Sequence, residues 1–182
     1  MGRAEIRISG FGGQGIVLTG NIIGQAASIY DNGFATFSQS YGPESRGGSC
    51  TAEVVISDKP IDYPYVQNPQ VLIILSQEAY AKYVNNIPKG TSVIIDLDLV
   101  KPGVSHNTAP LSIPATRIAR EMGRAVVANI IMLGFLAAVS DLVSVEALRK
   151  SILASVPEGT GEFNMKAFES GYDYGLKHRN RS

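Results

Sequence analysis

Cysteine is almost absent from the sequence, which contains Cys50 and no other. One thiol cannot form a disulfide within the chain, and it cannot supply the cysteine set of an iron–sulfur cluster or of a cysteine-rich zinc site. The two histidines, His106 and His178, are far apart in the sequence and neither lies near paired carboxylates. The sequence therefore predicts no metal site carried by this chain alone.

Net charge is absent as well, since 16 Lys and Arg residues balance 16 Asp and Glu residues. A nucleic-acid-binding domain would be basic, with clustered positive residues, so no nucleic-acid partner is expected. The longest apolar stretch, residues 125–139, contains Asn129 and is shorter than the roughly 20 residues of a membrane-spanning helix. The N-terminus lacks the charged and apolar regions of a signal peptide. We expect a cytoplasmic protein with no membrane contact.

The order of apolar segments indicates an α/β protein. Residues 71–75 and 92–95 are continuous apolar runs, typical of strands buried on both faces of a parallel sheet. We predict one domain over residues 1–182, with an open, mostly parallel, Rossmann-like sheet flanked by helices and a helical C-terminal third. Asn164 is the predicted N-cap of the last helix. The predicted strands are residues 5–8, 34–40, 50–56, 71–75 and 92–95, and the predicted helices are residues 14–30, 77–86, 116–122, 125–140, 144–155 and 165–177.

A glycine-rich turn joins the first predicted strand to the first predicted helix. It contains Gly10, Gly12, Gly13 and Gly15. Glycine allows positive φ angles and the close approach of another group, and the helix that follows offers unpaired N–H groups to an anion. The spacing of Gly10, Gly12 and Gly15 fits the dinucleotide-binding fingerprint.

The second half of a dinucleotide site is missing. Such a site places an acidic residue about 20 residues beyond the glycines to bind the ribose, whereas residues 37–40 read Phe-Ser-Gln-Ser. The nearest acid, Glu44, lies in the following loop, and no Lys-Ser or Lys-Thr follows the glycines as a P-loop requires. Two interpretations of the turn remain open, a general anion site and a close contact between backbones.

A second glycine-rich loop, residues 41–49, follows the second predicted strand. In a parallel sheet it would lie beside the first loop, at the edge where open α/β sheets bind ligands. Arg46 is the permanent cation of this loop, and its guanidinium suits a phosphate or a carboxylate. The alternative is an ion pair between Arg46 and Glu44 or an acid of a partner subunit.

Three further features also need an interpretation. Asp96 and Asp98 follow a buried strand at the same edge, where they could serve acid–base chemistry or merely terminate the strand. Asn129 lies in an apolar helix, and an ordinary buried hydrogen bond to a loop is the expected reason. Cys50 is either a reactive thiol or a buried structural one. No Ser-His-Asp, Cys-His or paired-carboxylate set is recognised, so no catalytic residue is predicted.

These motifs together resemble the gamma subunit of 2-oxoacid:ferredoxin oxidoreductases. The resemblance rests on the two glycine-rich loops, residues 10–15 and 41–48, and on two later segments, residues 129–134 and 164–168. The order and separation of these motifs match over nearly the whole chain. The form that looks closest is the 2-oxoglutarate (KorC-like) gamma subunit, and the pyruvate and ketoisovalerate forms are similar.

The resemblance implies a role in the oxidative decarboxylation of a 2-oxoacid to its acyl-CoA, with electrons passed to ferredoxin. It implies alpha and beta partner subunits, with a delta subunit as a further candidate and a homodimer as a candidate for the isolated chain. The resemblance also implies that thiamine diphosphate, magnesium and iron–sulfur clusters lie on the partners. This chain agrees with that expectation, since it has no Gly-Asp-Gly motif followed by Asn-Asn and no cysteine set. Coenzyme A is the ligand that the resemblance implies near this chain.

Three functions therefore remain open. The chain is a subunit that assists CoA handling and assembly without chemistry of its own, an independent nucleotide-dependent oxidoreductase, or a purely structural assembly subunit with empty loops. The residues predicted to contact a cofactor are Gly10, Gly12, Gly13, Gln14, Gly15, Tyr41, Ser45, Arg46, Gly47 and Asn129.

Overall fold

The computed structural model describes residues 2–43, 47–103 and 109–179. A π-helical turn (Ala26–Tyr30) continues the first helix, and a 3₁₀ turn (Ala125–Val127) precedes the fourth. The strands are β1 (Ala4–Phe11), β2 (Phe34–Tyr41), β3 (Ser49–Ser57), β4 (Val71–Ile74), β5 (Ser92–Asp96) and β6 (Leu111–Ile113). The helices are α1 (Ile16–Gln25), α2 (Gln77–Tyr83), α3 (Ala115–Glu121), α4 (Ala128–Val139), α5 (Val145–Ser155) and α6 (Gly161–Arg179).

The six strands form one mixed sheet in the order β2-β3-β1-β4-β5-β6. Strands β1, β4, β5 and β6 are parallel, whereas β3 is antiparallel to both of its neighbours, β1 and β2. The predicted class, a mostly parallel α/β sheet with a helix-rich C-terminal region, is confirmed. The prediction that β2 belongs to the parallel part of the sheet was wrong, because β2 pairs with β3 in an antiparallel hairpin. Since β3 reverses the direction, β2 still points the same way as β1.

Side chains of the central strands fill a separate core on each face of the sheet. Val71 and Ile73 face a large cluster that includes α1, α4 and α6. Leu72 and Ile74 face a smaller cluster closed by α2. Because successive strand residues point to opposite faces, a strand covered on both sides needs an unbroken apolar run, as predicted for this segment.

Helix α4 is the centre of the larger core. Residues 129–138 are all buried, which agrees with a pattern that is apolar all round the helix. Helix α6 packs directly against α4, and glycines at the crossing, Gly134 and Gly171, bring the two backbones together. In the parts of the chain that the structure describes, no helix is both long and apolar enough to cross a membrane.

Helix α6 begins one turn earlier than predicted. Its first residue is Gly161, and the N–H of Asn164 already donates to the Thr160 carbonyl at 3.0 Å. The Asn164 side chain donates back to the same carbonyl, also at 3.0 Å. The prediction that Asn164 is the N-cap was therefore wrong. The capping preference of Asn was outweighed by the preceding turn at Thr160.

The connection between β3 and β4 is held to the sheet by Glu5. This carboxylate is 6% exposed and accepts hydrogen bonds from the N–H groups of Gln67 and Asn68, each at 2.6 Å. The Arg3 guanidinium donates to it at 2.9 Å. Burial alone would raise the pKa of Glu5, but these donors outweigh burial and lower the pKa below its ordinary value.

Glu5→Gln is expected to lower the free energy of unfolding by about 2 kcal/mol, because buried donors lose a charged acceptor. The lowered pKa means that the Glu5 contribution is present above its unfolded-state pKa and is lost as the pH falls through the folded-state value. Urea unfolding at neutral and acid pH would therefore show a smaller acid sensitivity in the variant. Glu121→Gln, at an exposed position, is the control.

Candidate functional site

The first glycine loop leaves the uncapped N-terminus of α1 open. Gly13 and Gly15 have φ angles of 93° and 74°, which glycine adopts without strain. Gly15 is the N-cap residue and has no side chain to accept from the first turn. The first N–H groups of a helix have no partner within the helix and favour negative charge. The loop can therefore bind an anion.

Gln14 fastens this loop to the sheet. Its Oε1 accepts from the Phe11 N–H at 2.6 Å, and its Nε2 donates to the Leu75 carbonyl at 2.8 Å. The side chain thus connects the ends of β1 and β4. Both polar atoms of the Gln14 side chain are therefore committed to protein partners, and a positioning role explains this residue directly.

The second glycine loop lies against the first, as predicted. The Gly12 N–H donates to the Gly48 carbonyl at 2.8 Å, and Gly47 has a φ of 68°. The loop reaches this place because the β2–β3 hairpin turns at the carboxyl end of β1. Tyr41 at the end of β2 is 64% exposed. Glu44, Ser45 and Arg46, and with them the predicted cation, lie outside the described residues, as does His106.

Asn129 faces the first loop from α4. It is 3% exposed, and a Cβ built on Gly15 would lie 2.5 Å from its Nδ2. The expected hydrogen bond to a loop was wrong: among the described residues, none donates to or accepts from this side-chain amide. Because Asn129 lines two cavities, its amide is a group available to a ligand.

Two cavities adjoin Asn129, and the lining of both is mainly apolar. A cavity of about 270 Å³ includes Leu75 and Leu99 and has no charged residue in its lining. A cavity of about 210 Å³ includes Arg124 and Phe163. Both are lined by Gly13, Val126 and Asn129. The uncharged and the cationic cavity therefore meet at the glycine loop.

Arg124 was missed by the sequence reasoning. Its guanidinium lies 5.1 Å from the centre of the Phe163 ring, which orients it by a cation–π contact. No described acidic residue forms a salt bridge with Arg124. The sequence signal was its position next to the apolar segment that carries Asn129, but only the fold brings that position to the loop.

The chain is similar to known proteins over most of its length. The family described as pyruvate ferredoxin/flavodoxin oxidoreductase matches residues 5–174. The 2-oxoglutarate synthase subunit KorC of Methanocaldococcus jannaschii is 52% identical over 176 residues, which cover 94% of this chain and 93% of that protein.

The chain belongs to the pyruvate ferredoxin/flavodoxin oxidoreductase family.

Solved structures support the same assignment. The keto/oxoacid ferredoxin oxidoreductase gamma subunit from Geobacter sulfurreducens has a TM-score of 0.85 and 42% identity, with 97% of this chain and 98% of that chain covered. The 2-oxoglutarate:ferredoxin oxidoreductase from Magnetococcus marinus shares the fold, with a TM-score of 0.85, 23% identity, and 98% of this chain and 32% of that chain covered. The predicted resemblance is confirmed: the chain is a gamma subunit of a 2-oxoacid:ferredoxin oxidoreductase.

The two aspartates at the end of β5 cap α3 of this gamma subunit. Asp96 is fully buried and accepts from the Thr116 N–H at 2.9 Å and from the Thr116 hydroxyl at 2.6 Å. Asp98 accepts from the Arg117 N–H at 2.8 Å. This geometry favours a structural role over acid–base chemistry for both carboxylates.

Cys50 is a buried thiol of β3. It is 3% exposed and belongs to the larger core. Burial raises its pKa, which disfavours the reactive thiolate. Of the two interpretations of Cys50, the structure favours the structural one.

Proposed function

We propose that this gamma subunit serves a complex that oxidises 2-oxoglutarate and that its glycine-loop site holds part of coenzyme A. The proposed substrate is supported by the relative KorC, which is named as a 2-oxoglutarate synthase subunit. The proposed ligand is supported by the Magnetococcus marinus enzyme, which is described with 2-oxoglutarate, coenzyme A and succinyl-CoA bound. Coenzyme A supplies the thiol that receives the acyl group.

The observation that carries the proposal is the Asn129 amide, which has no hydrogen bond among the described residues and lies between an uncharged cavity and one lined by Arg124. Coenzyme A combines anionic phosphates with an uncharged arm that contains amides. The N-terminus of α1 and Arg124 would hold phosphate, since both favour negative charge. The Asn129 amide would pair with an amide of the arm, and the cavity beside Leu75 and Leu99 would bury its apolar part.

The chemistry itself is proposed to lie on other subunits. Within this chain we assign no catalytic residue and no metal ligand. We propose alpha and beta partners that carry thiamine diphosphate, magnesium and iron–sulfur clusters, with ferredoxin as the electron acceptor and the cytoplasm as the location. The single cysteine of the sequence, which is buried in the structure, agrees with clusters held elsewhere.

Arg124→Gln and Asn129→Leu are each expected to raise the KM for coenzyme A about tenfold in the assembled oxidoreductase, which corresponds to one lost hydrogen bond or charge contact. The KM for 2-oxoglutarate should not change. Because the Asn129 amide has no hydrogen bond among the described residues, Asn129→Leu should not lose protein hydrogen bonds, and its unfolding temperature should stay close to that of the unmodified chain. Arg120→Gln is the control, because it removes the same charge from an exposed position on α3, just before Arg124 in the sequence.

Calorimetric titration separates this proposal from the two alternatives. We expect the assembled complex to bind coenzyme A, and Arg124→Gln to weaken that binding. Binding of NAD or NADP by the chain would instead support the independent oxidoreductase. Unchanged coenzyme A affinity in both variants would contradict the assigned site and favour a purely structural subunit.

A further inference from the structure

The two edges of the sheet differ in how they are protected. Strand β6 at one edge has three residues, and short edge strands offer little for another chain to pair with. Strand β2 at the other edge has eight residues. It pairs with β3 in unbroken register from Phe34 to Tyr41, so it contains no bulge that would turn it away.

The sequence of β2 also lacks the usual protections of an edge strand. It reads FATFSQSY, with no charged residue and no proline. Edge strands that face water in monomers are commonly marked by lysine, proline or an inward charge. A long, regular, uncharged edge strand therefore indicates a strand that is covered in the functional assembly.

Exposed aromatic rings surround this edge. Phe34 is 44% exposed and Phe37 is 39% exposed, although Phe37 lies against α1 at Gly20. Tyr63 and Tyr65 are 48% and 56% exposed. Aromatic residues are enriched at protein–protein interfaces, and single exposed apolar residues would need no explanation, but here they gather at one edge.

The connection that carries the two tyrosines is fixed to the same edge. The Thr36 hydroxyl of β2 donates to the Pro64 carbonyl at 2.9 Å. Arg3 donates to the carbonyls of Tyr63 and Tyr65 at 2.7 and 2.9 Å. The aromatic surface is thus held in place by hydrogen bonds and is ready for a partner without reordering.

We propose that the β2 edge, defined as Phe34–Tyr41 with Tyr63 and Tyr65, is the docking surface for a partner subunit of the oxidoreductase, which adds an extended segment beside β2. The Magnetococcus marinus enzyme contains this fold as 32% of a longer chain, so the fold operates attached to a larger partner there. The extended segment that fits this uncharged edge is itself uncharged and pairs with β2 through backbone hydrogen bonds. The edge also leads directly into the second glycine loop.

Hydrogen exchange of the assembled oxidoreductase tests this surface. We expect amides of residues 34–41 to exchange at least tenfold more slowly in the complex than in the free chain. The double variant Gln39→Lys/Ser40→Lys places charge at two exposed positions of the edge and should reduce incorporation into the complex at least tenfold. Its unfolding temperature should remain close to that of the unmodified chain.

The matched control is Asn85→Lys/Asn86→Lys, which adds the same charge at exposed positions after α2 and should assemble normally. Normal incorporation of the edge variant would overturn the proposal. So would unchanged exchange at residues 34–41 on assembly. A free chain that dimerises through this edge, with no added protection in the complex, would assign the surface to a second copy and also overturn it.

Discussion

Gly134→Ala is expected to lower the free energy of unfolding by about 3 kcal/mol, the upper part of the range for overpacked cores. A Cβ at this position would meet the Phe168 carbonyl oxygen within contact distance and would lie 2.8 Å from the Tyr172 nitrogen. These are backbone atoms of α6, which cannot move aside as a side chain can. Helices α4 and α6 would have to separate, and chemical denaturation would measure the loss.

Gly171 offers an independent check on the same helix crossing. Its added Cβ would contact the Ile131 carbonyl oxygen and lie 3.0 Å from the Phe135 nitrogen. Since either alanine opens the same gap, the double variant Gly134→Ala/Gly171→Ala should lose less than the sum of the single losses. Gly103→Ala is the control, because no atom of the described residues lies within 4 Å of its added Cβ. A loss under about 1 kcal/mol for Gly134→Ala would contradict the close packing.

The same substitution also tests how the core supports the site. Asn129 lies on α4, the helix that Gly134 allows to approach α6. Separation of α4 from α6 would move the Asn129 amide relative to Gly15. We therefore expect any folded Gly134→Ala subunit to show weaker coenzyme A binding as well.

Local patterns predicted the central elements because burial dictates them directly. The run at residues 71–75 became β4, and the all-apolar segment became α4. The strand-to-helix glycine turn was also recognisable, because positive φ angles at Gly13 and Gly15 require glycine. In these segments a single requirement, either burial or a positive φ angle, determines the residue type.

The direction of β3 was not predicted, although a signal existed. Only residues 42–48 separate β2 from β3, whereas a parallel connection needs a crossover of a dozen or more residues. The connection between β2 and β3 is therefore too short for a parallel pair and fits an antiparallel hairpin. The roles of Arg124 and of the α3 caps provided by Asp96 could not be predicted from local sequence, because each acts on residues that are distant in sequence.

Asp96→Ala is expected to lower the free energy of unfolding by about 2–5 kcal/mol, since buried donors left without an acceptor are each unfavourable by about 1–3 kcal/mol. The substitution removes the acceptor of the Thr116 N–H and hydroxyl and of the Asp98 N–H. Asp98→Ala, at an exposed position of the same turn, removes one helix-capping bond and should lose about 1 kcal/mol. Equal losses in the two variants would contradict the assigned roles.

The pH dependence of Asp96→Asn distinguishes charge from hydrogen bonding. Burial raises the pKa of Asp96 above its ordinary value of 3.8, and the bonds from Thr116 and Asp98 offset only part of that effect. A raised folded-state pKa means that stability falls as the pH rises from the unfolded-state pKa through the folded-state pKa. The Asn variant should lose this component, so its stability difference from the unmodified chain should be larger in acid than at neutral pH. A stability difference that does not change with pH across that window would mean that the pKa of Asp96 is the same in the folded and unfolded states. Glu5, whose pKa is lowered, gives the opposite slope of stability against pH in both proteins.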